Sequence, residues 1–316
     1  METQKTLERS VKSLKGKKKK ELRTGPRLNR RKLDDKLRSF AFIGPSALGV
    51  GLFFIVPFLI VVYYSVINNP IQREFVFLDN FIALFKNSSF RTAASNTLKF
   101  SVMAVPLAVV LAIVLALMLE CRIPLKSQFR TFFLSPMMVP IASVVLIWQV
   151  VFHNNGTLNE FLALFGADKI DWLKSDYCLL VVLVLFLWKN LGYNMILFMA
   201  NLSNIPKELL EVADVEGASP AYKFFHIKLR YLSPTVLFVT ILSLINSFKV
   251  FREVYLLTGD YPYEGLYMLQ HFMNNTFKSL DYQKLSSAAV VMAIVMVIII
   301  ALLFVLEDWF GKDVEG

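Results

Sequence analysis

The sequence predicts an all-α integral membrane protein with six transmembrane helices, and three observations carry that prediction. Of 316 residues, 56% are hydrophobic and only 18% charged, a balance outside that of ordinary soluble globular chains. Six stretches, approximately 40 to 67, 97 to 119, 130 to 152, 177 to 200, 232 to 256 and 285 to 306, are apolar over the required length, since a spanning helix needs about 20 mostly apolar residues at about 1.5 Å each. Between the fourth and fifth of them lies the longest amphipathic segment, Asn204 to Pro234, punctuated as helix, glycine turn and helix.

The chain begins with a basic tail. Residues 1–39 hold 15 Lys or Arg against 5 Asp or Glu, and the other 19 basic residues are matched by 19 acidic ones, so the tail accounts for the whole net charge of +10. Its run Lys17-Lys18-Lys19-Lys20 comes with no nucleic-acid recognition motif or aromatic platform. The expected partner is therefore the anionic headgroups of membrane lipids, not nucleic acid. Leu33, Leu37 and Phe40, after Pro26, predict a short interfacial helix. An apolar core and a small-residue cleavage site are both missing, so no signal peptide is expected.

The spans come next. Pro45 and Pro57 fall in the first, Pro106 in the second, Pro136 and Pro140 in the third. Kinked helices are expected there, because a membrane bundle satisfies the carbonyls that proline frees. Basic residues resist translocation and set the orientation. With the tail inside, the inner side carries 23 of the 34 basic residues and the outer loops 7, while Lys99, Lys189, Lys249 and Arg252 fall within apolar runs. The inner side also receives the loop with Arg122, Lys126 and Arg130, the segment 201–231 and the C-terminal residues 307–316. The expected organisation is a cytoplasmic tail 1–39, a six-helix transmembrane domain 40–306 and a short cytoplasmic tail 307–316, in the cytoplasmic membrane.

The amphipathic segment is an elbow. Asn204 and Pro206 read as cap and first helical turn, Gly217 as the residue of positive φ that ends the helix, and Ser219-Pro220 as the start of a second helix reaching about Tyr231. Glu208, Glu211, Asp214 and Glu216 lie at helical steps and imitate a catalytic cluster. With no His or Cys beside them, an integral membrane transferase is the weaker alternative. Cys121 and Cys178 lack metal-site spacing, and His153, His226 and His271 are scattered. Gly16-Lys17 and Gly311-Lys312 lack the glycine five residues earlier that a phosphate-binding loop requires. A secondary transporter would show an inverted repeat or a carboxylate relay, and neither is visible.

Two spans carry polar residues that lipid disfavours. Lys189 shares a helix face with Tyr193, and Asn190 with Asn194; in the fifth span Ser243, Asn246, Lys249 and Glu253 recur at three- and four-residue steps, flanked by Ser247 and Arg252. Two readings stay open. Lys189, Asn190, Tyr193, Asn194, Asn246 and Lys249 line a water-filled substrate path in which amides and hydroxyls pair with a polyhydroxylated solute, or the polar groups join helix to helix, with Lys189 or Lys249 paired to Glu253.

The elbow also carries a resemblance. Glu211-Val212-Ala213, three residues, Gly217-Ala218, then Phe224, Ile227, Leu229 and Pro234 resembles the EAA loop of ABC importer permeases, with Val212 replacing an alanine and Arg230 standing where proline is expected. Asn80, Asn96, Thr97 and Leu98 match landmarks of carbohydrate-type permeases, as do Pro136, Pro140, Trp148, the run Gly156-Thr157-Leu158-Asn159, and Trp188. Phe248, Phe251, Tyr255, Leu257, Thr258 and Gly259 match a further pattern, from which the chain departs at Asp260-Tyr261-Pro262. Over residues 40 to 306 the chain is similar to the binding-protein-dependent carbohydrate uptake family, in particular to the maltose-type larger permease subunit.

The resemblance implies a six-helix type I ABC importer permease fold. It implies that Glu211, Ala213, Asp214, Gly217 and Ala218 meet an ATP-binding cassette ATPase dimer, which holds the ATP and Mg while this chain binds no cofactor. It further implies a second, homologous permease subunit and an extracytoplasmic sugar-binding protein. A polyol, peptide or amino acid is the alternative solute.

Overall fold

The structure, a computed structural model, describes residues 39, 41–121 and 124–311. The interfacial helix expected around Leu33, Leu37 and Phe40 lies outside the described residues, as does Arg122. The first span, α1, is Ala41–Ser65. It widens to a π-turn over Gly51–Ile55, immediately before Pro57, whose missing N–H removes one rung of the regular ladder. As far as Tyr63 it belongs to one compact unit, and Tyr64 onward forms a second with its own core.

In that second unit a short helix α2 (Asp79–Lys86) precedes α3 (Ser88–Glu120), capped by the Asn87 side chain accepting from Phe90 N. At 33 residues α3 begins nine residues before the apolar run that announced it, and it passes Pro106 uninterrupted. The polar landmarks before that run are ties. Asn80 Nδ2 donates to the carbonyls of Ser65 and Ile67, and Asn96 Nδ2 to those of Glu264 and Tyr267.

The third span departs from expectation. Instead of one kinked helix over 130 to 152 there are two, α4 (Lys126–Met138) and α5 (Ile141–Val151), bent by 98°. Val139 is extended at φ −82, ψ 131, as the residue before a proline prefers, and Pro140 opens α5. Among the described residues, five helices are therefore long and apolar enough to cross a membrane unbroken, or six if the bent pair is one span.

After a short α6 (Thr157–Ala163), α7 (Cys178–Leu202) forms the next span. The elbow helix α8 (Lys207–Val215) follows, then α9 (Pro220–Thr258), a single 3₁₀ turn α10 (Glu264–Leu266), a short helix α11 (Leu269–Lys278) and the last span α12 (Tyr282–Gly311).

The core is the contact of α3, α7 and α9. Along α3, Ala104, Ala108, Ala112 and Ala116 recur every fourth residue and are fully buried. Such a small-residue face lets backbones approach closely. Phe198 and Met195 from α7 and Leu232 and Val239 from α9 complete one cluster; Phe100, Phe186, Val250 and Val254 build another.

Candidate functional site

The elbow is set by its turn chemistry. Pro206, not Asn204, occupies the N-cap of α8, and no side chain caps it; the expected asparagine cap is not formed. Asn204 stands two residues before that N-cap, not at the N-cap position from which a side chain accepts the N2 or N3 amide. At the other end Gly217 has φ +75, Ala218 N donates to Ala213 O and Gly217 N to Asp214 O, the paired bonds of a Schellman stop. Ser219 then accepts from Tyr222 N and Pro220 takes the first helical position of α9.

The second arm does not end near Tyr231. It passes through a π-turn at Phe224–Lys228 and over Pro234 into the fifth span, so Pro220–Thr258 is one helix of 39 residues, about 58 Å at 1.5 Å per residue. Lys223 pairs with Asp214 across the elbow at 2.5 Å, and Lys228 with Glu120 at the end of α3 at 2.6 Å. Ile205, Leu210, Phe224 and Ile227 root both arms in the α3–α7–α9 core. Ala213 is buried, while Glu211, Asp214 and Gly217 are exposed, beside the exposed apolar side chains of Leu209, Val212 and Val215.

The polar residues of α7 and α9 come together higher along the same helices. Lys189, Asn190, Tyr193, Asn246 and Lys249 line one cleft of about 540 Å³, joined by Arg252 and Glu253. Lys189 Nζ lies 2.5 Å from Glu253 Oε1. Asn246 Nδ2 donates to Asn190 Oδ1 at 2.9 Å, and Asn190 Nδ2 to the Phe186 carbonyl at 2.8 Å. Asn194 is different: it is buried outside the cleft and donates to Ser243 Oγ at 3.0 Å. With Ser101–Ser247 at 2.8 Å and the Asn201–Thr235 bond, it belongs to a ladder of hydrogen bonds between spans. Asn194 thus joins helices, whereas the other five face open volume.

Sequence reasoning missed three contributors. Gln270 and Met137 line the cleft from α11 and the end of α4, and no local pattern announces a contact across so many residues. Gly192 was a plain span residue, yet a Cβ there would lie 1.8 Å from the Phe133 carbonyl oxygen. It admits α4 against the face of α7 adjoining the cleft. The two tryptophan landmarks also meet, with the rings of Trp148 and Trp188 at 5.3 Å between centroids.

Beyond the end of α9, Lys278 bonds Asp260 Oδ1 at 2.5 Å and lies over the Tyr255 ring. The Lys278 hydrogen bond holds the Asp260 carboxyl below its usual range, and Asp260 in turn raises Lys278. His271 is fully buried, accepts from Met268 N through Nδ1, and is pushed down to about 4 by desolvation.

Comparison with known proteins agrees with this architecture. Over 230 residues the chain is 29% identical to the arabinooligosaccharides transport system permease protein AraP of Bacillus subtilis (strain 168), covering 70% of this chain and 72% of that one. Over 267 residues it is 27% identical to the sulfoquinovosyl glycerol transport system permease protein SmoG of Agrobacterium fabrum (strain C58 / ATCC 33970), covering 82% and 87%. The crystal structure of a bacterial alginate ABC transporter, in complex with an alginate pentasaccharide-bound periplasmic protein, contains a chain of the same fold: TM-score 0.77 at 20% identity, covering 89% of this chain and 98% of that one. Residues 108–316 match the family described as the binding-protein-dependent transport system inner membrane component. The chain belongs to that family, and is a membrane permease subunit of an ABC transporter with the type I fold, not an enzyme.

Proposed function

We propose that this chain is the sugar-translocating permease subunit of an ATP-driven importer. The observation that carries the reading is the continuity of α9, whose first turns form the elbow and whose last turns, Asn246 to Glu253, wall the cleft. A displacement applied at the elbow is carried along the helical stretch from Pro220 to Asn246 and Lys249, and reaches Arg252 and Glu253 across the single turn residue Val250. The names of AraP and SmoG support a saccharide as the solute. Amide pairs such as Asn190–Asn246, beside Tyr193 and Phe186, offer the matched donors, acceptors and ring faces that a hydroxyl-rich solute requires.

In this reading Glu211, Asp214 and Gly217, with the exposed Val212 and Val215, enter a cleft on a cytoplasmic ATPase dimer, and Ala213 and Ala218 shape the elbow behind them. ATP binding closes the ATPases and draws two elbows together, one from this chain and one from a second, homologous permease. The helices convert that movement into outward opening, and the solute arrives from an extracytoplasmic binding protein. Both termini and the basic tail lie in the cytoplasm, the tail against anionic lipid.

The test is purification of the tagged chain from its native cell in mild detergent, with identification of what accompanies it. An ATPase, a second permease and a solute-binding protein are expected. Recovery of the chain alone, with no ATPase crosslinked at position 217, overturns the reading.

A further inference from the structure

The cleft is unbalanced in charge. Three cations, Lys189, Lys249 and Arg252, line it against one carboxylate, Glu253. Lys189 and Glu253 neutralise each other at 2.5 Å. Lys249 and Arg252 are exposed and have no carboxylate partner among the described residues, leaving an excess of two positive charges in a cleft walled by apolar spans.

Charges at such a place are costly, and where a membrane protein keeps them they mark a substrate or ion path; two cations without a carboxylate partner suit an anionic one. The two groups differ usefully. Arg252 presents a planar fork that matches a carboxylate, phosphate or sulfonate in a bidentate manner, and Lys249, three residues earlier on the same face, adds a mobile point charge. Asn190, Tyr193 and Asn246 sit beside them in the same cleft. Glu253 would repel an anion were it not held by Lys189. The ion pair thus gives Lys189 a positioning role, masking the one carboxylate that faces the path.

We propose that the cleft takes an anionic saccharide, its carboxylate, phosphate or sulfonate gripped by Lys249 and Arg252 and its hydroxyls met by the neighbouring amides. This rests on the permease reading and narrows its substrate class.

The native cell and a strain lacking this chain are given an equimolar mixture of neutral oligosaccharides, uronate oligosaccharides, glycosyl phosphates and sulfonated glycosides, and depletion of the medium is followed by mass spectrometry. Acidic species should disappear at least tenfold faster with the chain present, and which acid disappears identifies the group. The paired variant Lys249→Gln with Arg252→Gln should lower that uptake about tenfold or more at unchanged amounts of assembled complex, with Lys249→Arg retaining most of it. Depletion of neutral sugars alone overturns the charge assignment and leaves the sugar reading standing. If the paired variant loses complex in proportion to uptake, the two cations serve assembly with the second permease, and the proposal is overturned. If no saccharide is depleted differently, both readings fall together.

Discussion

Gly192 of α7 and Phe133 of α4 meet so closely that any side chain on the glycine would have to occupy the position of a backbone carbonyl: its Cβ would stand 1.8 Å from Phe133 O and 2.4 Å from Phe133 C. This contact holds the first half of the broken third span against α7, one turn from Lys189. Backbone atoms on both sides cannot rotate away as a flexible side chain could. Gly192→Ala must therefore push α4 outward, at an overpacking cost of about 1–3 kcal/mol. Lower thermal stability of the purified complex and reduced uptake are expected. An alanine variant with wild-type melting and uptake would mean that the two helices are not in contact.

Lys189 and Glu253 form the ion pair that closes one side of the cleft. Glu253 is 7% exposed, so removing its partner strands a carboxylate. Lys189→Met should destabilise the complex by roughly 3 kcal/mol, the low end for a buried pair because the lysine side chain is itself one-third exposed. Adding Glu253→Gln to Lys189→Met leaves no carboxylate to strand or to mask, so it should recover most of the assembled complex and most of the uptake. Recovery of the complex without uptake would show that Lys189 does more than mask Glu253. The comparison needs all three variants, measured for complex yield and for transport.

Much of this architecture was legible. Apolar runs of span length stand out whatever packs on them, and Asn, Lys and Ser at helical steps on two successive spans indicated one shared polar face. The elbow was legible because Gly217, Ser219 and Pro220 act within a few residues of themselves. What was not legible depends on contacts far along the chain. The 98° break after Met138 was visible only as Pro136 and Pro140, which also fit a mild kink. Gln270 reaches the cleft from α11, and Asn194 leaves it because Ser243 stands opposite. Continuity through Pro234 was missed because proline usually interrupts a helix, whereas here α9 continues past it.

Gly217 adopts φ +75 with open space where a Cβ would point. The cost of substitution is thus one of backbone conformation within this chain, about 1 kcal/mol for alanine and more for a β-branched residue. Asparagine tolerates the left-handed region, so Gly217→Asn should keep most of the uptake per ATP hydrolysed, while Gly217→Val should lose most of it. Measuring both rates in the reconstituted complex separates conformation from contact. Equal loss in the two variants would show that bulk at the exposed tip of the elbow matters, not the turn.

His271 makes the segment between α9 and α12 sensitive to acid. Its ring is wholly buried, with Phe251 edge-on at 4.6 Å and Tyr267 at 5.9 Å, and its Nε2 has no hydrogen-bond partner. Desolvation lowers its pKa from 6.5 to about 4, partly opposed by the negative charge of Asp260. A depressed histidine is neutral in the folded state while the unfolded segment already binds a proton, so stability is full above the unfolded value and falls between pH 6.5 and about 4. The shift corresponds to about 3 kcal/mol. Asp260 and Lys278 do not offset it there. The depressed carboxylate contributes fully above 3.8 and the raised lysine fully below 10.5, so their bond is constant across this window. Hydrogen exchange in residues 259–281 should therefore accelerate as pH is lowered from 7 to 5, after correction for the intrinsic rate. In His271→Gln, which retains an acceptor for Met268 N but does not titrate, that acceleration should vanish. An unchanged pH profile in the glutamine variant would place the acid sensitivity in another group.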